Sequence, residues 1–495
     1  MDLDEFLYNL HYDIDRIKPP DLEIDWDDAP LPYKLYQDRP IIQLSSDIPH
    51  SFEELDSALT LENMSAFLWY VYGLAQFSED TMNLARSRRF APSGGGLYPN
   101  ELYLYLKIED LAEGIYHYDV AHHRLVLLRE GNFDAYLNYA LGGRCELSGC
   151  FGAALISTMF WKNFFKYNNF AYRLQGLDAG ALIGQLSEVS KRFGYSHHVC
   201  FQFLDRVANH LLGLDEPEES VYAIVPLAKS EVVWSNEGND SKSNGLITTL
   251  PKLDSNHFVR SEKVLDYSML VKMNEASMME SMETTNWVRE DEKGKGEGEG
   301  LLIWLPTPEQ RDVDFSEACL NRYSPEMDFT LEKITQQQLA VLLKEATKIS
   351  ESGIKIYGCF YNVEEVPHGA YRYDPSSHTL RLIQPGDMRV HLQSAMTMHN
   401  VNLYQVPLCF HLVGVSDPHK KGLRFRGYRI QQMEAGMMMQ RLLLASSALG
   451  LGGHPLLGFD VASADDIYRL EHESCLIQIP IGPYQPRPWL KGRLI

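Results

Sequence analysis

At 495 residues the chain exceeds what one ordinary hydrophobic core holds, and calls for two domains or one large fused pair. Hydrophobic residues at 45% and aromatics at 11% exclude a largely disordered chain, and a formal charge of -22 argues against a nucleic-acid backbone as the main ligand. Seven widely spaced cysteines with no C-x-x-C pair fit neither a disulfide framework nor a zinc ribbon, so a reducing, cytoplasmic setting is expected.

The acidic opening MDLDEFLYNLHYDIDRIKPP is interrupted by charges and unlike a signal peptide, and no later apolar run approaches membrane-spanning length. In LARSRRFAPSGGGLYPNELYLYL, Arg86, Arg88 and Arg89 precede a Pro92-Ser93-Gly94-Gly95-Gly96 turn and a tyrosine-rich strand. Glycines there let backbone amides approach a ligand closely, and an ordinary loop is the bland alternative. The arginines either include one beside the ligand, which we prefer, or form a solvated basic face. GIYHYDVAHHRL follows as a strand pair. His117, His122 and His123 within it, like His197 and His198 later, lack companions at metal-ligand spacing, so no metal is expected. An aromatic-rich stretch, TMFWKNFFKYNNFAYR, carries Lys166-Tyr167. It leads into the helical window LDAGALIGQLSEVSKRFG, whose apolar residues recur at spacings of three and four before a glycine stop, and then the strand SVYAIVPL.

After Pro226 the composition turns polar, and residues 228–300 end in REDEKGKGEGEG before LLIWLP restarts an apolar pattern. We expect an acidic linker there, partly disordered, between domains at 1–227 and 301–495. Within it, residues 260–283 have helix-forming composition; they form a lid helix or, as we prefer, a solvated connector. The flanking domains repeat one another. Gly114, Tyr116, Tyr118, Asp119 and Leu125 recur 255 residues later as Gly369, Tyr371, Tyr373, Asp374 and Leu380. Tyr172, Arg173, Gln175, Ala179, Gly180 and Gly194 recur 256 residues later as Tyr428, Arg429, Gln431, Ala435, Gly436 and Gly450, and the closing strand SVYAIVPL recurs as SCLIQIPIG. The chain therefore has an α+β fold of two tandem αβ units, which pack as a fused pseudo-dimer.

The combination of PSGGGLYPNELYLYL with GIYHYDVAHHRLVLL resembles the azoline dehydrogenases of the nitroreductase superfamily, the SagB/ThcOx or McbC-like type, over residues 30–230 and 305–490. That resemblance implies nitroreductase-like units and an FMN cofactor. It also implies an Arg-x-Ser motif for the flavin phosphate from one unit and a Pro-Ser-Gly turn for the ring system from the other. Arg322 and Ser324 of NRYS supply the first, and Pro92, Ser93, Gly94 and Gly95 the second. Each motif occurs in one copy only, so one composite FMN site per chain is expected. Gly450 and Gly452 stand where the family contacts FMN, although they equally suit a helix cap, and Arg487 offers a second phosphate charge.

Lys166-Tyr167 matches the family's catalytic Lys-Tyr pair: a lysine desolvated among Trp161, Phe164, Phe165 and Phe170 serves as base, with Tyr167 sharing the proton. An isolated dipeptide of this kind would otherwise be a surface lysine beside a core tyrosine. The implied activity is oxidation of a thiazoline or oxazoline in a peptide, ribosomal or carrier-protein-bound, with a carrier protein or a cyclodehydratase complex as the implied means of delivery. Neither nucleic acid nor membrane is expected as a partner, and further homodimerisation is left open. The alternatives are an NAD(P)H-dependent nitro or quinone reductase and a catalytically silent scaffold of a peptide-modifying complex.

Overall fold

The stretch NELYLYL, Asn100–Leu106, is buried along its whole length, as a strand covered on two faces must be, and it stands at the centre of a sheet. The computed structural model describes all residues except 20–22, 53–57, 80–84, 236–237, 239–240, 243–249, 254–255, 283–299, 309–313, 349–352, 421, 487–489 and 494–495. It divides into two compact units. The first comprises Met1–Asn286, His419–Met433 and Lys491–Ile495, the second Trp287–Pro418 and Glu434–Leu490.

In the first unit the strands run in the order Ile41–Gln43, Arg124–Glu130, Gly114–Asp119, Asn100–Leu106, Gly152–Met159, Glu219–Ala228 and Ser196–His197, every neighbour antiparallel. The second unit repeats that order with Leu302–Trp304, Thr379–Pro385, Gly369–Asp374, Lys355–Phe360, Leu408–Val415, Glu473–Gly482 and Gly452–Gly453, again antiparallel. The repeated tyrosines explain why. Tyr118 Oη lies 2.7 Å from His123 Nδ1 across the hairpin, and Tyr373 Oη lies 2.8 Å from His378 Nδ1 in the second unit. Tyr116 donates to the carbonyl of Ala112, and Tyr371 to that of Pro367. The register also slips at the same place in each hairpin, between Ile115 and Tyr116 and between Ala370 and Tyr371.

Each repeated helical window forms a long helix, Ala171–Arg192 and Arg424–Ala448. In the first unit, the buried carboxylate of Asp205 is clamped between two buried guanidinium groups, Arg426 Nη1 at 2.5 Å and Arg429 Nη2 at 2.9 Å. The stretch 228–300 departs here from the expected linker. Ser268–Ser277 is a helix whose Leu270, Met273, Asn274 and Ser277 are buried at helical spacing. Asn274 Oδ1 accepts from Arg429, and the Ser277 carbonyl accepts from Arg426. This helix belongs to the core because its polar residues complete the solvation of two buried arginines. The run REDEKGKGEGEG lies almost wholly outside the described residues.

Among the described residues no helix is long and apolar enough to cross a membrane. Removing one member of a buried ion cluster leaves uncompensated charge, so Asp205→Asn is expected to destabilise the protein by about 3–5 kcal/mol. Urea denaturation followed by tryptophan fluorescence would measure this; an unshifted transition for the first unit would mean that the clamp contributes little.

Candidate active site

The Gly152–Met159 strand ends at Phe160, and the chain turns at once into the short helix Trp161–Tyr167. Its last turn holds Lys166 and Tyr167. Asn168 then takes a left-handed φ of 50°, which separates this helix from the long one that begins at Ala171. On the other side, Pro92-Ser93 leads into a tight turn, Gly94–Gly96, in which Gly95 has φ 67° and Gly96 φ 70°. These are values at which an L side chain is strained.

The structure brings the glycine turn and the Lys-Tyr pair together. A Cβ placed on Gly95 would lie 2.6 Å from Tyr167 Oη and 2.9 Å from Lys166 Nζ, so the residue must be glycine for these groups to stand where they do. Gly96 is exposed, and a Cβ there would meet nothing within 4 Å, so the contact with the pair is particular to Gly95. Ser93 Oγ accepts from the Tyr98 amide at 2.9 Å and donates to Asp178 Oδ2 at 2.6 Å. The Gly94 amide donates to the same carboxylate at 3.2 and 3.3 Å. Asp178 sits on the long helix and is buried.

Burial raises the Asp178 carboxyl to about 7, with the Ser93 and Gly94 hydrogen bonds offsetting only part of the effect. Burial, then the nearby Asp178 charge, pushes the Tyr167 phenol up to about 12. Tyr167 is therefore a protonated hydrogen-bond donor at neutral pH. Lys166 is half-buried, and its ammonium lies 5.3 Å from the centre of the Trp26 ring and 5.0 Å from that of Tyr167. Trp26 also meets Phe165 edge-on at 5.5 Å. The described ring contacts of Lys166 are thus Trp26, from an arm remote in sequence, and Tyr167, and not the expected Trp161, Phe164, Phe165 and Phe170. The arm is held by the segment expected as a connector: Asp28 accepts from the amides of Glu262 at 2.6 Å and Lys263 at 2.9 Å, and Trp161 Nε1 donates to Ser261 Oγ at 2.9 Å.

Sequence reasoning passed over Asp178 and Trp26. It also passed over a buried pair behind the turn, Lys162 with Glu101, to which His117 Nε2 adds a contact at 2.8 Å. Of the three arginines, Arg89 is buried between the rings of Tyr72 and Tyr98, 4.1 and 4.4 Å from their centres, and Arg88 is half-buried; the Arg86 side chain lies outside the described residues. Among the described residues no group of three or more His, Cys, Asp or Glu side chains is placed to hold a metal.

In the second unit, Arg322 closes the helix Phe315–Asn321, and it and Ser324 are half-buried. Between them Tyr323 is buried and stacks on Tyr484 at 5.1 Å, while its carbonyl accepts from the Gly453 amide at 3.2 Å. Pro325 fills the space a Cβ on Gly452 would need, 2.3 Å away. The Arg322–Ser324 loop, Gly452 and the strand end that precedes Arg487 therefore converge. Gly450 caps the long helix, with φ 72° and the Leu451 amide returning to the Ser446 carbonyl at 2.9 Å. Arg487 itself lies outside the described residues.

Residues 320–483 match the nitroreductase family model. The chain is 27% identical over 192 residues to the trifolitoxin-processing protein TfxB of Rhizobium leguminosarum bv. trifolii, covering 37% of this chain and 50% of that relative, so it spans about half of the relative's length. A nitroreductase-type crystal structure from Anabaena variabilis superposes on 97% of this chain and 99% of its own with a TM-score of 0.77 at 21% identity, which establishes the shared fold. The Escherichia coli microcin synthetase McbBCD complex with truncated pro-MccB17 matches 40% of this chain and 70% of its own at 21% identity and a TM-score of 0.31, too low to add to the fold assignment.

The geometry of the turn separates two glycines of similar backbone. Gly96→Ala is expected to cost about 1–2 kcal/mol from left-handed strain alone. Gly95→Ala should add about 1–3 kcal/mol for pressing on Tyr167 and Lys166. Equal losses in thermal unfolding would mean that the turn does not bear on the pair.

Proposed function

Because the chain belongs to the nitroreductase superfamily, we propose that it is an FMN-dependent oxidoreductase that converts thiazoline or oxazoline rings in a peptide to the aromatic azoles. The single observation that carries this reading is the approach of Gly95 to Lys166 Nζ and Tyr167 Oη. The similarity to a trifolitoxin-processing protein points the same way, toward a chain that modifies a natural product.

The residues present suit a flavin: a glycine turn with an exposed backbone stands beside Lys166 and Tyr167 in the first unit, and a half-buried arginine and serine share a loop in the second. Arg322 and Ser324 would hold the phosphate by charge-assisted and hydroxyl hydrogen bonds, with Gly450, Gly452 and Arg487 as further candidates, and Pro92, Ser93, Gly94 and Gly95 would border the ring system. When bound, FMN supplies the two-electron acceptor, taking hydride at N5, and dioxygen is its oxidant.

The remaining work belongs to the protein. Aromatisation of an azoline removes one proton and one hydride. Lys166, as the neutral amine, takes the proton from the ring carbon. Tyr167 stays protonated because of its raised pKa, so it donates a hydrogen bond to the heterocycle and does not compete as base. Trp26 and Tyr167 place aromatic rings within 5.3 and 5.0 Å of Lys166 Nζ.

The test is to incubate the purified protein, loaded with FMN, with a thiazoline-bearing peptide and to follow loss of two hydrogens by mass spectrometry. Oxidation of NADPH without change in the peptide would instead identify a reductase. Lys166→Ala is expected to lower turnover by about 100-fold or more with flavin retained, and Tyr167→Phe to slow it less. A fully active Lys166→Ala protein would remove the proposed base.

Each flavin motif occurs once in the chain, so one FMN per chain is expected. Arg322→Ala should purify largely as apoprotein. Arg124, whose Nε binds Asp119 at 2.7 Å, should be replaceable by alanine without change in flavin content. Flavin released on denaturation, measured against protein concentration, checks both; two flavins per chain or a fully loaded Arg322→Ala protein would count against this assignment.

A further inference from the structure

Among the described residues of the first unit, five carboxylates are buried: Glu101, Asp119, Asp178, Asp205 and Glu219. Four of them meet a cation. Glu101 meets Lys162, Asp119 meets Arg124, Asp205 meets Arg426 and Arg429, and Glu219 meets Lys34. The described contacts of Asp178 are a hydroxyl and a backbone amide, those of Ser93 and Gly94. Retaining a buried carboxylate on such neutral donors costs stability that an amide or apolar residue would not cost. The two residues it grips lead directly into Gly95, the residue against which Lys166 and Tyr167 are seated.

Resting on the functional reading above, we propose that Asp178 is the positioning residue of the Lys166–Tyr167 pair. By holding Ser93 Oγ and the Gly94 amide it sets the height of the Gly95 turn against which the pair is seated. The groups that face this arrangement are Lys166 and Tyr167 from the short helix and Tyr72 from the helix Leu61–Tyr72, with Arg89 over the Tyr72 ring. The Asp178 carboxyl ionises near neutrality. As the pH falls through that range it acquires a proton, ceases to accept from both donors equally, and loosens the turn. Turnover therefore carries a limb in the neutral range that belongs to Asp178 and not to the base.

The test uses the full-length, FMN-loaded protein. Asp178→Asn keeps the size of the side chain and mimics its neutral form. It is expected to lower kcat about tenfold, leave KM within about twofold, retain flavin, and lose the neutral limb of the pH profile. A purely structural residue would lower the amount of folded protein without reshaping that profile. A second measurement needs no turnover. Carbon-13 NMR of aspartate-labelled protein should contain a carboxyl resonance, absent from Asp178→Asn, that titrates near neutrality and moves to higher pH in Ser93→Ala, because the serine hydrogen bond favours the charged form.

A wild-type pH profile and kcat in Asp178→Asn would overturn the proposal. So would a resonance that titrates in the ordinary carboxylate range or ignores Ser93→Ala. Should the wild-type protein leave azoline peptides unchanged, the functional reading fails, and the NMR result alone upholds or overturns the link between Asp178 and the turn. If Asp178→Asn does not fold, Ser93→Ala carries both measurements.

Discussion

A carboxylate taken out of water must be matched by donors or give up its charge, and the first unit is built around that requirement. Glu219 gathers Lys34 at 2.7 Å, Tyr103 at 2.9 Å and the hydroxyl of Ser157, drawing the N-terminal arm onto two neighbouring strands. Asp205 gathers Arg426 and Arg429, which in turn order the helix Ser268–Ser277. Glu101 gathers Lys162 and His117, and the Lys162 charge with the His117 hydrogen bond holds it well below the usual carboxylate range despite burial. Each acid thus binds segments far apart in sequence, and the interior is specified by polar matching as well as by apolar area. Asp178 is the exception in kind, since the donors it finds are neutral.

Close approach is the second constraint, and glycine provides it in each unit. At Gly95 the missing Cβ admits the ends of Lys166 and Tyr167; at Gly452 it admits the ring of Pro325, which seats the Arg322–Ser324 loop on the Gly452–Gly453 strand. In neither case is the glycine a flexible joint. It is a fixed contact surface, and its effect is to hold functional side chains at a distance no other residue permits.

The fold was legible because buried strands and helices demand repeating patterns. Gly114, Tyr116, Tyr118 and Leu125 recur 255 residues on because each hairpin closes with the same tyrosine hydrogen bonds and the same register slip. The glycine turn and Lys166-Tyr167 were legible from family pattern, and the structure adds that they touch. Asp178 was not legible: an aspartate in a helical window looks solvated, and its partners lie 84 and 85 residues away. Asn274 and Ser277 misled for the same reason, since polarity in a connector suggests water, whereas here the Asn274 side chain serves buried Arg429 and the Ser277 hydroxyl meets buried Tyr172. Trp26 was missed because an isolated tryptophan in an acidic arm carries no period or motif.

Repetition within one chain separates what holds the fold from what does chemistry. A feature kept in each copy answers a need that each copy has: the hairpin tyrosines, the bulge, the sheet order and the glycine-stopped helix all recur. A feature found once answers a need of the whole. The Pro-Ser-Gly turn, its contact with Lys166 and Tyr167, and the grip of Asp178 belong to the first unit alone, and the Arg-x-Ser loop to the second. In copy two the residue corresponding to Asp178 is Glu434, still acidic and still buried, but that copy has no Pro-Ser-Gly sequence. An acid at this helix position is therefore compatible with the fold in either copy, and Asp178 stands out by gripping a Pro-Ser-Gly turn that occurs once in the sequence. That distinction makes the Asp178–Ser93 contact a specialised part of the molecule and not a requirement of its architecture.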